Sequence, residues 1–123
     1  MTKRRLKLGR DGEEAAVAFV KKQGYRILQT NFRTKSGEID IIAEDKKVVA
    51  FIEVKTRSTT EYGSPLEAVN HYKQKKIALV ANQFLLRHKV ENRECRFDIV
   101  AILARDDDPK TWEIELIKDA FSA

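Results

Sequence analysis

The chain has 123 residues, of which 42% are hydrophobic and 35% charged, with a formal net charge of +5 and a single cysteine, Cys95. This size and composition predict one globular domain over residues 1–123 and exclude a disulfide framework or a cysteine-based zinc site. No apolar stretch approaches the roughly 20 residues of a membrane helix, and the basic start lacks the apolar stretch of a secretory signal, so we expect a cytoplasmic protein.

Hydrophobic periodicity and turn residues divide the chain into two helices and five strands. In chain order they are a helix over residues 7–23, strands over 25–33, 38–43 and 47–56, a helix over 66–87, and strands over 96–104 and 112–118. The second helix has an apolar stripe made of Leu66, Val69, Ile77, Val80, Ala81 and Phe84. Cys95 is predicted to be a small core residue.

The lengths of the connections predict how these strands pair. A short turn at Asp45–Lys46 makes the second and third strands antiparallel neighbours. The long helix that follows allows a parallel crossover from the third strand to the fourth. The sequence therefore predicts an α/β fold, with a mixed sheet flanked by helices.

The second and third strands carry charged residues among apolar ones: Asp40 in GEIDII, and Glu53 and Lys55 in AFIEVKTR. A two-residue turn at Asp45–Lys46 would pair Asp40 with Phe51. Asp40 would then share a face with Glu53, at a diagonal distance of roughly 7–8 Å. Two carboxylates this close repel each other, and a divalent cation such as Mg²⁺ resolves the conflict. Lys55, on the same face, would orient or help deprotonate a water on that cation, or stabilise charge developing on phosphorus.

A plainer interpretation of the same residues stays open. Glu53 and Lys55 also fit a solvent-facing charge pattern on a half-exposed strand. Asp40 then becomes a hydrogen-bonded structural acid. The spacing D-x12-E-x-K does not by itself decide between a metal site and this arrangement.

Four motifs, taken together, resemble those of the YraN family. They are GRDGE at 9–13, GEIDIIA at 37–43, FIEVKTR at 51–57 and RFDIV at 96–100. That family consists of small bacterial proteins placed by sequence among restriction-endonuclease-like nucleases. The resemblance covers nearly the whole chain and implies a restriction-endonuclease-like αβββαβ core, here with an additional C-terminal strand.

The hairpin is also similar to the PD-(D/E)xK pattern, in the form found in archaeal Holliday junction resolvases. That resemblance implies that Asp40 and Glu53 are metal-binding acids and that Lys55 is the catalytic lysine. The backbone carbonyl of Val54 would be a further metal ligand. The implied cofactor is Mg²⁺ or Mn²⁺.

Resolvases also have an acid in the first helix, four positions after a glycine. Glu13 occupies that spacing after Gly9, which makes Glu13 a candidate third acid. Glu38 is an additional acid that competes with Glu13 for this role. Ile39 stands where the name of the pattern has proline, a position that is loose across the superfamily.

Five basic residues around the hairpin and on the second helix are candidates for contacts to nucleic acid phosphates: Arg33, Lys35, Arg57, Lys73 and Lys76. For Lys73 and Lys76 the alternative is an ordinary solvated helix face. Tyr62 is a candidate for stacking on a base, or else a loop anchor. Asp98 lies in an apolar strand without a partner at E-x-K spacing, so we predict a structural hydrogen bond or salt bridge there.

These observations favour a metal-dependent endonuclease-like enzyme that hydrolyses phosphodiester bonds, with DNA favoured over RNA and no membrane partner. A homodimer is an expectation from the resemblance, since resolvases and many restriction enzymes cut two strands with two subunits. Two alternatives remain: a nucleic-acid-binding module of the same fold without catalysis, and a protein-interaction domain whose basic surface is incidental.

Overall fold

The computed structural model describes residues 3–59 and 63–122, and the side chains within these ranges from Lys7 onward. Its helices and strands are α1 (Lys3–Lys22), β1 (Arg26–Thr34), β2 (Gly37–Asp45), β3 (Val48–Arg57), α2 (His71–Arg87), β4 (Cys95–Leu103) and β5 (Glu113–Phe121). Short 3₁₀ helices span Leu66–Ala68 and Pro109–Thr111. Tyr62 lies outside the described residues. No helix in the described ranges is long and apolar enough to cross a membrane.

The five strands form one mixed sheet in the order β1-β2-β3-β4-β5. All neighbours are antiparallel except β3 and β4, which are parallel and are connected through α2. This arrangement confirms the predicted αβββαβ core with an additional C-terminal strand.

The two helices cover opposite faces of the sheet, and β3 shows why both faces are apolar. Val49 and Phe51 belong to the core beside α2, whereas Ala50 and Ile52 belong to the core beside α1. Because a strand alternates its side chains and both faces are covered, β3 reads as an almost continuous apolar run. Charged residues in its second half therefore lie near the rim of the core.

The second helix begins at His71, so the prediction of a helix from Leu66 was wrong. The 3₁₀ helix ends at Ala68, and the side chain of Asn70 accepts a hydrogen bond from the Lys73 amide at 2.9 Å, which caps the new helix. Leu66 is 42% exposed and is not part of the buried stripe, whose other five residues are buried. The first helix begins at Lys3, earlier than the predicted Lys7.

The hairpin turn lies at residues 46–47 and not at Asp45–Lys46. Asp45 pairs with Val48 and Ile42 with Phe51, so the predicted pairing of Asp40 with Phe51 was wrong. Lys46 adopts a left-handed backbone with a φ of 58°, which moves the turn one residue along the chain. The register shifts by two residues as a result, and such a shift leaves the paired residues 41–45 and 48–52 on their expected faces.

The prediction for Asp98 is confirmed, since it is a fully buried structural acid. Its carboxylate accepts hydrogen bonds from the Tyr25 hydroxyl at 3.0 Å, Arg96 Nε at 3.0 Å and the Asp119 amide at 2.9 Å. These donors compensate the buried charge and tie β4 to β5 and to the residue preceding β1. Cys95 is only half-buried, at the edge of the core beside α2.

Candidate metal centre

Strands β1 and β2 both change face next to Asp40. Thr30 pairs with Ile41 and Phe32 with Ile39, so Asn31 and Asp40 stand opposite each other between these pairs. Residues two apart in a regular strand share a face. Here Ile39 packs in the core beside α2, whereas Ile41 packs in the core beside α1. Asp40 therefore lies at the point where its strand turns over.

This irregular stretch borders a cleft of about 470 Å³ beside α1. Its lining includes Arg10, Glu13, Asn31 and Asp40. The cleft gives solvent and solutes access to the Asp40 carboxylate from the side of the sheet that α1 covers.

Three carboxylates from two elements converge at this cleft. Oxygen atoms of Glu13 on α1, and of Glu38 and Asp40 on β2, all lie within 4.8 Å of one another. Gly12 allows α1 to lie close to β3, because a Cβ at this position would lie 2.3 Å from Thr56 Oγ1 on β3. The structure thus brings both candidate third acids, Glu13 and Glu38, to Asp40.

The Asp40 carboxylate replaces a backbone partner of β3. Its Oδ2 accepts a hydrogen bond from the Val54 amide at 2.8 Å. Since the N–H and C=O of one strand residue point to the same side, the Val54 carbonyl also faces β2. Burial, then the nearby charge of Glu53, raises the pKa of Asp40 from 3.8 to about 7, while the Val54 hydrogen bond opposes the rise.

Glu53 and Lys55 form a partly buried pair on β3. Lys55 Nζ lies 3.4 Å from Glu53 Oε1, and the two side chains are 22% and 18% exposed. Burial raises the pKa of Glu53, and the charge of Lys55 opposes this effect. Glu53 interacts electrostatically with Asp40 and Glu38. It is nevertheless not a member of the group of three oxygens within 4.8 Å.

The predicted basic residues take different positions around the acids. Arg33 Nε lies 3.2 Å from Glu38 Oε1, and the charge of Lys73 opposes the rise that burial causes in the pKa of Glu53, so both lie beside the acids. Lys35 is exposed in the turn between β1 and β2. Lys76 lies over the ring of Tyr72 at 5.1 Å. Arg57 donates to the carbonyls of residues 63 and 64 and lines a second groove, of about 280 Å³, together with Lys55.

One residue of the site was missed by sequence reasoning. With its amide nitrogen turned to the acceptors, Asn31 donates to Glu38 Oε1 at 2.9 Å and to Glu13 Oε2 at 3.1 Å. The only sequence signal was an asparagine inside a strand, where this residue is depleted. Nothing in the spacing NFRTK connects it to the acids of the hairpin.

Comparison with known proteins assigns the chain to a family. The model of the Uncharacterised protein family UPF0102 matches residues 12–102, a range that contains all the acids of the candidate centre and Lys55. The chain is 47% identical to the UPF0102 protein of Prosthecochloris aestuarii over 119 residues, 94% of each chain. It is 46% identical to that of Caldicellulosiruptor saccharolyticus over 121 residues, 98% of this chain and 100% of the relative. A 45% identity to the UPF0102 protein of Desulfosudis oleivorans covers 100% of this chain and 96% of the relative. The chain therefore belongs to the UPF0102 (YraN) family.

Proposed function

We propose that this protein is a metal-dependent nuclease that binds nucleic acid and hydrolyses phosphodiester bonds, with DNA as the favoured substrate. The observation that carries the proposal is the convergence of Glu13, Glu38 and Asp40 at a cleft, next to the Glu53–Lys55 pair. Two carboxylates and a lysine on one strand hairpin, with a helix acid beside them, are the set that the PD-(D/E)xK resemblance implies.

The donor set fits a hard divalent cation. Carboxylate and carbonyl oxygens are the ligands that Mg²⁺ and Mn²⁺ accept. Asp40, Glu53, Glu13 and the Val54 carbonyl would hold the ion, with Glu38 as the competing third acid. When bound, the ion supplies positive charge that polarises a phosphoryl oxygen and lowers the pKa of a coordinated water. Without such charge, burial raises the pKa of both Asp40 and Glu53, and neighbouring carboxylates raise it further, Glu53 that of Asp40 and Glu38 that of Glu53.

Lys55 would supply the remaining charge stabilisation. Hydrolysis forms a bond from a water oxygen to phosphorus and breaks the bond to the leaving oxygen, so negative charge spreads over the phosphoryl oxygens. An ammonium held by Glu53 in a half-buried position stabilises such charge better than a fully solvated one, because less water screens it. Lys55 also has three N–H donors with which to orient the attacking water.

The surrounding cations would position the nucleic acid. The sequence of α2, HYKQKKIALVANQFLLR, contains lysine and arginine but no acid. Phosphate contacts from Lys73, Lys76, Arg33, Lys35 and Arg57 would fix the backbone of the substrate without reading its bases. A cytoplasmic location, no membrane partner and a homodimer complete the proposal, and light scattering of the purified protein tests the last.

The proposal is tested with purified protein and labelled DNA duplexes, single strands and branched junctions, each with a matching RNA. We expect cleavage that requires Mg²⁺ or Mn²⁺ and stops with a chelator. Asp40→Ala and Lys55→Ala should each reduce cleavage at least about 100-fold, as loss of a group acting in the transition state does. Glu91→Gln, an exposed acid away from the cleft, should cleave like the parent.

Three results would contradict the proposal. If none of these DNA and RNA substrates is cleaved in the presence of Mg²⁺ or Mn²⁺, the protein is not a nuclease for any of them. Salt-dependent binding to DNA that is unchanged in Glu53→Gln, without cleavage, would instead identify a non-catalytic binding module of the same fold. Absence of any binding at low salt would favour a protein-interaction domain.

A further inference from the structure

Asn31 has a backbone conformation that is unusual inside a strand. Its φ of 51° lies in the left-handed region, which costs most non-glycine residues roughly 1–2 kcal/mol and which asparagine tolerates better than most. Thr30 borders the cleft beside α1, whereas Phe32 packs in the core beside α2, so β1 changes face at this residue. The left-handed residue thereby directs its side chain to the acids, which an extended residue in its place would not do.

The side-chain amide of Asn31 connects two elements of the site. One NH₂ group offers two N–H donors, and with the amide nitrogen assigned to the side of the surrounding acceptors they go to Glu38 Oε1 on β2 and to Glu13 Oε2 on α1. Hydrogen bonds to carboxylates are stronger than those between neutral groups. The amide uses one oxygen of each carboxylate, and each carboxylate has a second oxygen with which it can bind a cation.

We infer that Asn31 is a positioning residue that holds the Glu13 and Glu38 carboxylates together as a preformed half of the metal centre. The inference rests on the proposed function, because it assigns Asn31 a role toward the proposed ion. Two like charges would separate if nothing held them, and the ion would then have to bring them together at a cost in affinity. Arg33, 3.2 Å from Glu38, supports one of the two acids but not the other.

The first test measures Mn²⁺ affinity by titration calorimetry in the Asn31→Gly variant. Glycine adopts a φ of 51° without strain, so this variant removes the amide and keeps the backbone. We expect Mn²⁺ binding to weaken about 10- to 100-fold, as is typical for loss of a residue that orients metal ligands. Cleavage should recover at saturating Mn²⁺, because the reacting groups remain. The matched control is Asn92→Gly, the same change at a φ of 56° on an exposed residue far from the acids, which should bind Mn²⁺ like the parent.

A second test needs no metal. The side-chain amide resonances of Asn31 in an ¹⁵N–¹H spectrum of the metal-free protein should shift in Glu13→Gln and in Glu38→Gln. They should stay in place in Glu91→Gln, a change at an exposed acid away from the cleft. If the Asn31 amide resonances shift in neither Glu13→Gln nor Glu38→Gln, the two hydrogen bonds are absent and the inference is overturned.

The outcomes distinguish a failure of the role inferred for Asn31 from a failure of the proposed nuclease function. If the parent binds Mn²⁺ and cleaves DNA while a folded Asn31→Gly variant binds Mn²⁺ within twofold of the parent, the inference fails and the proposed function stands. If the parent binds no Mn²⁺ at all, both the proposed function and the positioning role of Asn31 fail. Weaker binding in Asn31→Gly together with the expected resonance shifts supports both.

Discussion

Replacing Asp40 by asparagine removes a carboxylate that is difficult to ionise in the folded protein. Asparagine has nearly the same shape, and its side-chain oxygen can still accept the hydrogen bond that the Val54 amide donates at 2.8 Å. The variant therefore keeps this hydrogen bond, removes the charge beside Glu13, Glu38 and Glu53, and places an NH₂ donor where a carboxylate oxygen was. We expect Asp40→Asn to be more stable than the parent in the absence of metal, although it loses the proposed metal ligand.

The sign and size of this effect follow from the pKa of Asp40. Burial, followed by the charge of Glu53, raises it from 3.8 to about 7 in the folded protein. The folded state therefore holds this proton more tightly than the unfolded chain, and the free energy of unfolding falls as the pH rises from about 4 to about 7. A shift of this size corresponds to about 4 kcal/mol once Asp40 is fully ionised. Asp40→Asn should gain up to about 4 kcal/mol over the parent at pH 8 and almost nothing at pH 4.

The assay is urea unfolding in the presence of a chelator, followed by the fluorescence of Trp112, the only tryptophan and a buried one. Asp45→Asn is the matched control with the opposite sign. A hydrogen bond from Arg96 lowers the pKa of Asp45, so its loss should destabilise the protein near neutral pH. Equal stabilities of Asp40→Asn and the parent at pH 8, or a loss like that of Asp45→Asn, would refute the reasoning. Mn²⁺ should stabilise the parent at pH 8 and leave Asp40→Asn nearly unchanged.

Two further substitutions test how the site is built and used. Gly12→Ala should lower the free energy of unfolding and weaken cleavage, because its Cβ would lie 2.3 Å from Thr56 Oγ1 and displace α1 from β3. Gly9→Ala lies in the same helix, and apart from the backbone of that helix no described atom lies within 4 Å of its Cβ. This variant should gain up to about 1 kcal/mol from helix propensity, and a loss of stability in both variants would contradict the contact argument. Lys73→Gln should reduce the slope of log affinity for duplex DNA against log salt by about 0.9. Lys89→Gln, an exposed lysine after α2, should leave that slope unchanged, and equal slopes in both variants would remove Lys73 from the interface.

Strand parity explains why the main features of the fold were predictable. The alternation along β3 placed Glu53 and Lys55 on the side of Phe51 whatever the register. The turn was predicted one residue too early, yet the pairing moved by two residues, so the faces of the paired residues 41–45 and 48–52 were preserved. An error of that kind changes distances along the hairpin but not which residues can meet.

The start of α2 was not predictable from periodicity. Leu66, Val69 and Ile77 continue a helical apolar spacing across residue 70, so the pattern does not reveal that the chain breaks there. The decisive interaction is local. The Asn70 side chain accepts a hydrogen bond from the Lys73 amide, and in a continuous helix that amide would bond to a backbone carbonyl instead. Asparagine at this position was the only visible signal.

The candidate site lies where the regular pairing and side-chain alternation of β2 end. The ladder between β2 and β3 runs from Asp45–Val48 to Ile41–Ile52. Beyond that pair, the Asp40 carboxylate accepts the hydrogen bond of the Val54 amide. A side chain can take a ladder position only where the backbone pairing of its strand has ended, and β2 stops pairing with β3 opposite the left-handed Asn31 while it stays paired with β1. No period-two pattern contains that irregularity, because the pattern assumes that both strands stay regular. The irregularity sets Asp40 at the border of the two faces, within reach of both the α1 acid and the β3 pair, so one carboxylate can join both halves of the proposed metal centre.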